Sequence, residues 1–321
     1  MIYFKLPFDE TLYSTDQKPD KESVSFQSFD LLRQIIFKGN IIDASGHFEH
    51  DTITNEILLK DESHFNEETK DEYIETLHQV IDVIKTHELP KLVYSRRKIF
   101  TDFKGIDFKE SFKKLCTSYP NALRYLFNDG QNAWMGAFSE TLGKFNKTTH
   151  QFETMSLAGT LPVSEKWTEK EIEEQKPVTS YIKDILENYS NNMEVSETYD
   201  HISGNIKHLR TDFKANIQPE NLDSLIHDLH PTPAVCGIPK DFCKQNIQKF
   251  EKFPREFYAG FIKVETDESV MYFVNLRCAR LYKDSVHIFV GGGITAQSDA
   301  EKEWRETELK SEAVLRNLVA S

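Results

Sequence analysis

The densest chemistry in the chain lies near its end. Gly291, Gly292 and Gly293 follow the apolar run "VHIFV" and precede a charged, helix-like segment carrying Glu303, Glu306 and Lys310. Ser298 and Glu301 stand at capping-box spacing, which predicts a helix starting there. Counted along that helix, Glu303, Glu306 and Lys310 fall at i, i+3 and i+7 and share one face. Two carboxylates and an ammonium beside a backbone without side chains could hold a divalent cation and an anion together. Mg²⁺ favours one or two carboxylates plus substrate oxygens and water. The same acids also suit a solvated first turn, where the helix dipole favours negative charge.

Rigid elements must bring further groups to that corner. Residues 71–89 read as a helix, since Ile74, Leu77, Ile81 and Ile84 recur at helical spacing and Pro90 stops it. "KLVYSRRKIF" (91–100) reads as a strand by its β-branched and aromatic content, and a helix around 109–118 ends before Pro120. "AWMGAFSETLGKFN" and "HQFETMSLAG" read as paired strands. From Thr168 another helix begins, with Glu171 completing a capping box, and Pro177 inside it predicts a bend near Glu173. Strands return at 194–217, and two short helices flank "HPTPAVCGIPK". Strands at 257–265, 270–281 and 286–290 then precede a last helix at 299–318. Strands and helices mix without strict alternation, which predicts an α+β fold built on antiparallel sheet.

The bulk properties narrow the function. Of 321 residues, 39% are hydrophobic and 28% charged, as expected of a chain with a real core. The net charge of −13 argues against a nucleic-acid or anionic-membrane partner, but a locally basic pocket could still take a small anion. The opening "MIYFKLPFDETLYSTD" is too short and too acidic for a secretory segment, and no apolar run reaches membrane-span length. Cys116, Cys236, Cys243 and Cys278 are scattered, and no second pair joins Cys236 and Cys243 to make a zinc site. The expectation is a reduced, cytoplasmic protein.

The blocks "HLRTDFKANI", "LHPTPAVCGIPK", "REFYAGFIKV", "NLRCARLY" and "GGGITAQSDAEKEWRETELK" occur in that order. Together they closely resemble the chorismate-binding enzymes: isochorismate synthases, salicylate synthases, and the large subunits of anthranilate and aminodeoxychorismate synthases. The resemblance covers roughly residues 88–318 and leaves residues 1–70 as a variable N-terminal part of one domain spanning 1–321. It implies a large antiparallel β-sandwich with surrounding helices, Mg²⁺, and chorismate as substrate. Glu174 and Glu306 match the metal ligands, and Glu303 a carboxylate reaching the metal through water. Lys310 matches a contact to a substrate carboxylate. Tyr258, Arg277 and the backbone of Gly291 and Gly293 match the hold on the enolpyruvyl carboxylate. Gly159 and Thr160 match a contact to the ring carboxylate, and His208 an active-site histidine.

The family members differ in what attacks the ring. Lys91 matches the general base that isochorismate and salicylate synthases direct at water, and Glu140 the acid that protonates the departing C4 hydroxyl. A lysine is a base only when part of it is neutral, and Glu140 must keep a proton near neutral pH. Aminodeoxychorismate synthases commonly carry a nucleophilic lysine where this chain has Ala158. The resemblance therefore implies water addition, isochorismate as product, and no obligatory amidotransferase subunit. The "LHPTPAVCG" block resembles the menaquinone-pathway isochorismate synthases, with salicylate synthase and an ammonia-using synthase as alternatives. Gln175 stands where the family usually has histidine, and "GTLPVSEKW" lacks an arginine often found there. His230 could be structural or part of the site. Arg96 and Arg97 read as surface or sheet-packing residues, and the pairs Phe257–Tyr258 and Phe100–Phe103 as core.

Overall fold

In the computed structural model the described residues are 1–50, 66–101, 105–203 and 206–320, so Phe103 lies outside them. The strands in chain order are β1 (Ile2–Lys5), β2 (Tyr13–Thr15), β3 (Glu22–Gln27), β4 (Gln34–Lys38), β5 (Ile41–Asp43), β6 (Lys91–Phe100), β7 (Leu123–Asn128), β8 (Ala133–Phe138), β9 (Thr141–Asn146), β10 (Gln151–Pro162), β11 (Met193–Val195), β12 (Tyr199–Ser203), β13 (Ile206–Asn216), β14 (Gly237–Ile238), β15 (Phe261–Glu265), β16 (Ser269–Val274), β17 (Cys278–Leu281) and β18 (Val286–Ile294). The helices are α1 (Ser45–Phe48), α2 (Lys70–Thr86), α3 (Phe108–Ser118), α4 (Glu169–Glu187), α5 (Leu222–Leu229), α6 (Lys240–Phe250) and α7 (Ala300–Leu315).

The strands form two sheets, one in the order β14-β6-β18-β17-β8-β7-β1-β2-β5 and one in the order β11-β13-β10-β9-β16-β15-β3-β4, with β12 on β13. Residues 1–43 are not a separate unit: β1 pairs with β7 in the first sheet and β3 with β15 in the second. The period of two decides which core each side chain joins. From β7 and β8, Leu123, Tyr125, Phe127, Trp134 and Phe138 enter the larger core, which also takes residues from the second sheet. Their neighbours Leu126, Met135 and Ala137 face a smaller core with Phe108, Phe112 and Leu115 of α3 and Val314 of α7. Both faces are buried, so β8 reads as a continuous apolar run, and β7 departs from one only at the buried Arg124 and Asn128.

Three expectations need correcting. The segment 270–281 is not one strand: β16 belongs to the second sheet and β17 to the first, and the chain crosses between them at 275–277. Glu140 is likewise not on a strand but in the crossing from β8 to β9, which also changes sheet. The last helix is capped by Asp299, whose carboxylate accepts from the Lys302 amide at 2.9 Å, while the Ser298 hydroxyl donates to Glu303 instead. The predicted capping box of α4 is present, Glu171 accepting from the Thr168 amide at 3.0 Å. The helix continues through Pro177 to Glu187.

Candidate active site

Sheet crossings build the corner in which the candidate residues meet. The two crossings run side by side. The Val274 amide donates to the Glu140 carbonyl at 3.0 Å, and the Ala137 amide to the Arg277 carbonyl at 3.2 Å. Arg277 has φ 47°, the left-handed turn that swings its side chain out of strand alternation. Apart from His230, the candidate residues named from the sequence all line one cavity of about 220 Å³: Lys91, Glu140, Gly159, Thr160, Glu174, His208, Tyr258, Arg277, Gly291, Gly293, Glu303, Glu306 and Lys310.

The glycines lie inside β18 rather than after it, paired with Val93, Tyr94 and Ser95 of β6. β17 covers only Val286 to Ile288, so among the described residues the other edge of the glycine run has no strand partner. A Cβ on Gly293 would sit 2.2 Å from the Lys91 Cε, and one on Gly291 would sit 3.0 Å from the Tyr258 hydroxyl. Glycine is required there because Lys91 and Tyr258 lie across the bare backbone. Lys91, the first residue of β6, is 6% exposed and donates to Glu174 Oε1 at 2.8 Å. From α7, Lys310 donates to the Gly291 carbonyl at 2.8 Å and pairs with Glu306 at 2.7 Å.

A β-bulge makes the opposite wall. The β10–β13 register slips between Ala158 and Thr160, leaving Gly159 unpaired at φ +69°. The bulge brings the Gly159 carbonyl to 3.1 Å from His208 Nδ1, and Thr160 Oγ1 lies 3.1 Å from the same nitrogen. A carbonyl only accepts, so Nδ1 carries the proton and Nε2 the lone pair. Burial lowers the His208 pKa to about 4, against the Gly159 carbonyl, with the Arg277 and Lys310 charges pulling the same way as burial. The imidazole is therefore neutral at physiological pH.

Two charged groups stand out electrostatically. Loss of bulk water raises the Glu140 carboxyl from 4.5 to about 7, against the opposing Lys91 charge. Glu140 is half-buried at the cavity wall and keeps its proton to neutral pH. Arg277 has no ion pair among the described residues; its guanidinium lies 5.8 Å from the Tyr119 ring centroid, and burial lowers its pKa. A half-buried guanidinium lining a cavity without a carboxylate partner suits an anionic ligand.

The acidic residues gather around the glycine run. A Cβ on Gly292 would lie 3.1 Å from Glu303 Oε2 and 3.9 Å from Glu306 Oε1, and one on Gly293 would lie 3.1 Å from Glu174 Oε1. Carboxylate oxygens from α4 and α7 thus border the same glycine run. Among the described residues no three ligating groups already stand in a metal cluster. Glu174 holds Lys91, Glu306 holds Lys310, and Glu303 accepts from Ser298 at 2.7 Å. An all-oxygen, carboxylate-rich set next to open backbone fits Mg²⁺.

Sequence reasoning missed several supports. Glu171, read only as a helix cap, also lines the cavity. Gln175 is 5% exposed and its amide nitrogen reaches the hydroxyls of Thr179 (2.6 Å), Thr211 (3.0 Å) and Ser156 (3.1 Å), tying α4 to β10 and β13 beside Glu174. Arg96 and Arg97 are not surface residues. Arg96 lies 3.8 Å over the Trp304 ring and pairs with Glu308, locking α7 to β6, while Arg97 pairs with Glu256 at 2.8 Å. His230 is buried and its Nε2 meets the Phe29 carbonyl at 3.0 Å, away from the cavity lining.

The family profile for chorismate-binding enzymes matches residues 31–319. Isochorismate synthase EntC of Escherichia coli strain K12 is 31% identical over 250 residues, covering 72% of this chain and 62% of that protein. The chain thus spans less than two thirds of that relative's length. The structure of MenF, the menaquinone-specific isochorismate synthase from Escherichia coli, aligns with a TM-score of 0.80 at 20% identity, covering 98% of this chain and 88% of that one. DhbC from Bacillus anthracis aligns with a TM-score of 0.79 at 22% identity, covering 98% and 95%. These likenesses establish the antiparallel fold and its helices, and the profile spans both walls of the cavity: the chain belongs to the chorismate-binding enzyme family.

Proposed function

We propose that the protein is an Mg²⁺-dependent isochorismate synthase, converting chorismate to isochorismate by adding water at C2 as the C4 hydroxyl leaves. One observation carries the reading: an acid that holds its proton to about pH 7 shares a cavity with a buried lysine. Glu140 would give its proton to the C4 oxygen, which would depart as water. Lys91 would take a proton from the water that attacks C2. Lys91 Nζ lies 2.8 Å from Glu174 Oε1, and it would turn to the attacking water when Glu174 is engaged elsewhere. Arg277 and Tyr258 would hold the enolpyruvyl carboxylate. Gly159, Thr160 and Lys310 would hold the ring carboxylate, and the neutral His208 would steady that wall. Fixing the dianion between these groups supplies orientation. Glu174, Glu306 and Glu303 would hold Mg²⁺, which would supply charge stabilisation to the bound substrate.

The reading is supported by the EntC and MenF names and by the absence of a lysine at position 158. The two aligned structures score almost alike, so the destination of the product rests on the "LHPTPAVCG" block, which points to menaquinone synthesis. No helix of the described residues is long and apolar enough to cross a membrane, in keeping with a cytoplasmic enzyme. The test is a product assay with chorismate, with and without Mg²⁺. Isochorismate formed only with the metal is expected. Fluorescent salicylate with released pyruvate would make the protein a salicylate synthase, and an amine product with ammonium salts would remove Lys91 as a water-activating base.

A further inference from the structure

The crossing from β16 to β17 contains a buried amide that none of the catalytic roles uses. Asn275 is 1% exposed; its hydrogen bonds run to β7 and to the turn that carries Tyr258, and the Cys278 thiol also reaches its carbonyl at 3.9 Å. Its Oδ1 accepts from the Tyr125 hydroxyl of β7 at 3.0 Å, and its Nδ2 donates to the Phe257 carbonyl at 2.9 Å. Its backbone carbonyl accepts from Ala259 and its amide donates to Gly260, both at 2.8 Å. It thus grips the turn that carries Tyr258 from both sides and stands two positions before Arg277.

That turn needs holding. Glu256, Ala259 and Arg277 all have positive φ, at 52°, 57° and 47°. Non-glycine residues persist in this region only where their surroundings determine it. Gly260 has no freedom either, since a Cβ there would lie 2.0 Å from the Gln27 carbonyl. Asn275 is the contact common to the Tyr258 turn and the Arg277 crossing.

We propose that Asn275, braced by the Tyr125 hydroxyl, is a positioning residue that fixes Tyr258 and Arg277 as one carboxylate-binding unit. The proposal rests on the function proposed above. Asn275 touches neither the acid nor the base, so its loss weakens substrate binding and leaves the chemical step alone. An interaction made equally in ground and transition states appears in KM rather than kcat.

The experiment compares the wild type, Asn275→Leu and Tyr125→Phe by calorimetry with chorismate and by steady-state kinetics, with circular dichroism to check folding. Asn275→Leu removes the acceptor of the Tyr125 hydroxyl and one of the two bonds at the Phe257 carbonyl, which keeps the Gly260 amide at 3.1 Å; Tyr125→Phe removes one hydroxyl only. The expected result is a rise in the chorismate Kd and KM of about tenfold for Asn275→Leu and about threefold for Tyr125→Phe, with kcat within about threefold of wild type. A general loosening of the fold would lower kcat together with the melting temperature and would not give this split. Folded variants that bind chorismate as tightly as wild type, or that lose kcat at unchanged Kd, overturn the proposal. If Asn275→Leu does not fold, Tyr125→Phe decides by the same criterion. A wild type that binds no chorismate sinks the proposed function and this inference with it, whereas normal wild-type binding with unaffected variants sinks the inference alone.

Discussion

Replacing Glu140 by glutamine should make the protein more stable and nearly inactive. In the folded chain the Glu140 carboxyl holds its proton to about pH 7, while in the unfolded chain it ionises near its ordinary 4.5. The folded state therefore binds this proton more tightly. The stability that this preference contributes is fully present below pH 4.5 and is lost as the pH rises through 7. At about 1.4 kcal/mol for each tenfold change in proton affinity, the interval corresponds to about 3 kcal/mol. Residual solvent at a half-buried carboxyl trims this to about 2 kcal/mol. Glutamine keeps the shape and never ionises, so its advantage over wild type should be small at pH 4.5, grow to pH 7 and then stay level. Denaturant unfolding of the metal-free protein from pH 4.5 to 8 measures it. An advantage that is independent of pH, or largest on the acid side, would refute the assignment of the raised carboxyl to Glu140. The same variant cannot donate a proton, so turnover should fall by about 10²–10⁴-fold. Wild-type kcat/KM should itself decline above pH 7 as the acid ionises.

Lys91→Ala should abolish water addition while chorismate still binds; full turnover in that variant would remove Lys91 from the mechanism. Gln175→Leu should weaken Mn²⁺ binding, followed by the EPR signal of the free ion, by about 10–100-fold, because it removes the amide that ties α4 to Ser156 of β10 and Thr211 of β13 beside Glu174. Unchanged affinity would show that Glu174 is held without it. Arg96→Ala should cost about 2 kcal/mol in denaturant unfolding through the lost Trp304 stacking. It should also raise amide exchange along α7, and an unchanged exchange pattern would show that α7 docks without Arg96.

Much of the site was legible because its residues sit in ordered blocks whose local chemistry survives without a fold. The α4 capping box, the start of β6 at Lys91 and the face shared by Glu303, Glu306 and Lys310 are all short-range features. The glycine run announced a close approach, and the structure supplies the approaching groups in Lys91 and Tyr258. What stayed hidden is non-local. Arg96 and Arg97 could be read as surface or sheet-packing residues, and nothing local showed that β6 is covered by α7 on one side and by the Phe253–Glu256 segment on the other, which makes both of them packing residues. Gln175 read only as a departure from the family's histidine, because two of its three hydroxyl partners, Ser156 and Thr211, lie on strands distant in sequence and only Thr179 is on its own helix.

The two sheet crossings explain why the catalytic groups were the hardest to place by pattern. A hydrophobic period identifies a strand only while one sheet claims it. At Glu140 and at 275–277 the chain leaves one sheet for the other, yet "GAFSETLGKF" and "MYFVNLRCARL" still read as nearly continuous strand. Within a strand a side chain must face a core or a covering layer. At a crossing it can do neither, and Glu140 and Arg277 point into the wedge that opens between the diverging sheets. That wedge is dry enough to raise a carboxyl to about 7 and leaves a guanidinium without an ion pair among the described residues. The change of sheet that breaks the sequence pattern is therefore the feature that sets the proton affinity of Glu140. Inserting one residue between Phe138 and Thr141 should return the Glu140 pKa toward 4.5 by letting water in, while β8 and β9 keep their pairing; carbon-detected NMR titration of the labelled carboxyl would read it. A titration that stays near 7 in the insertion variant would mean that the wedge is not what holds the proton.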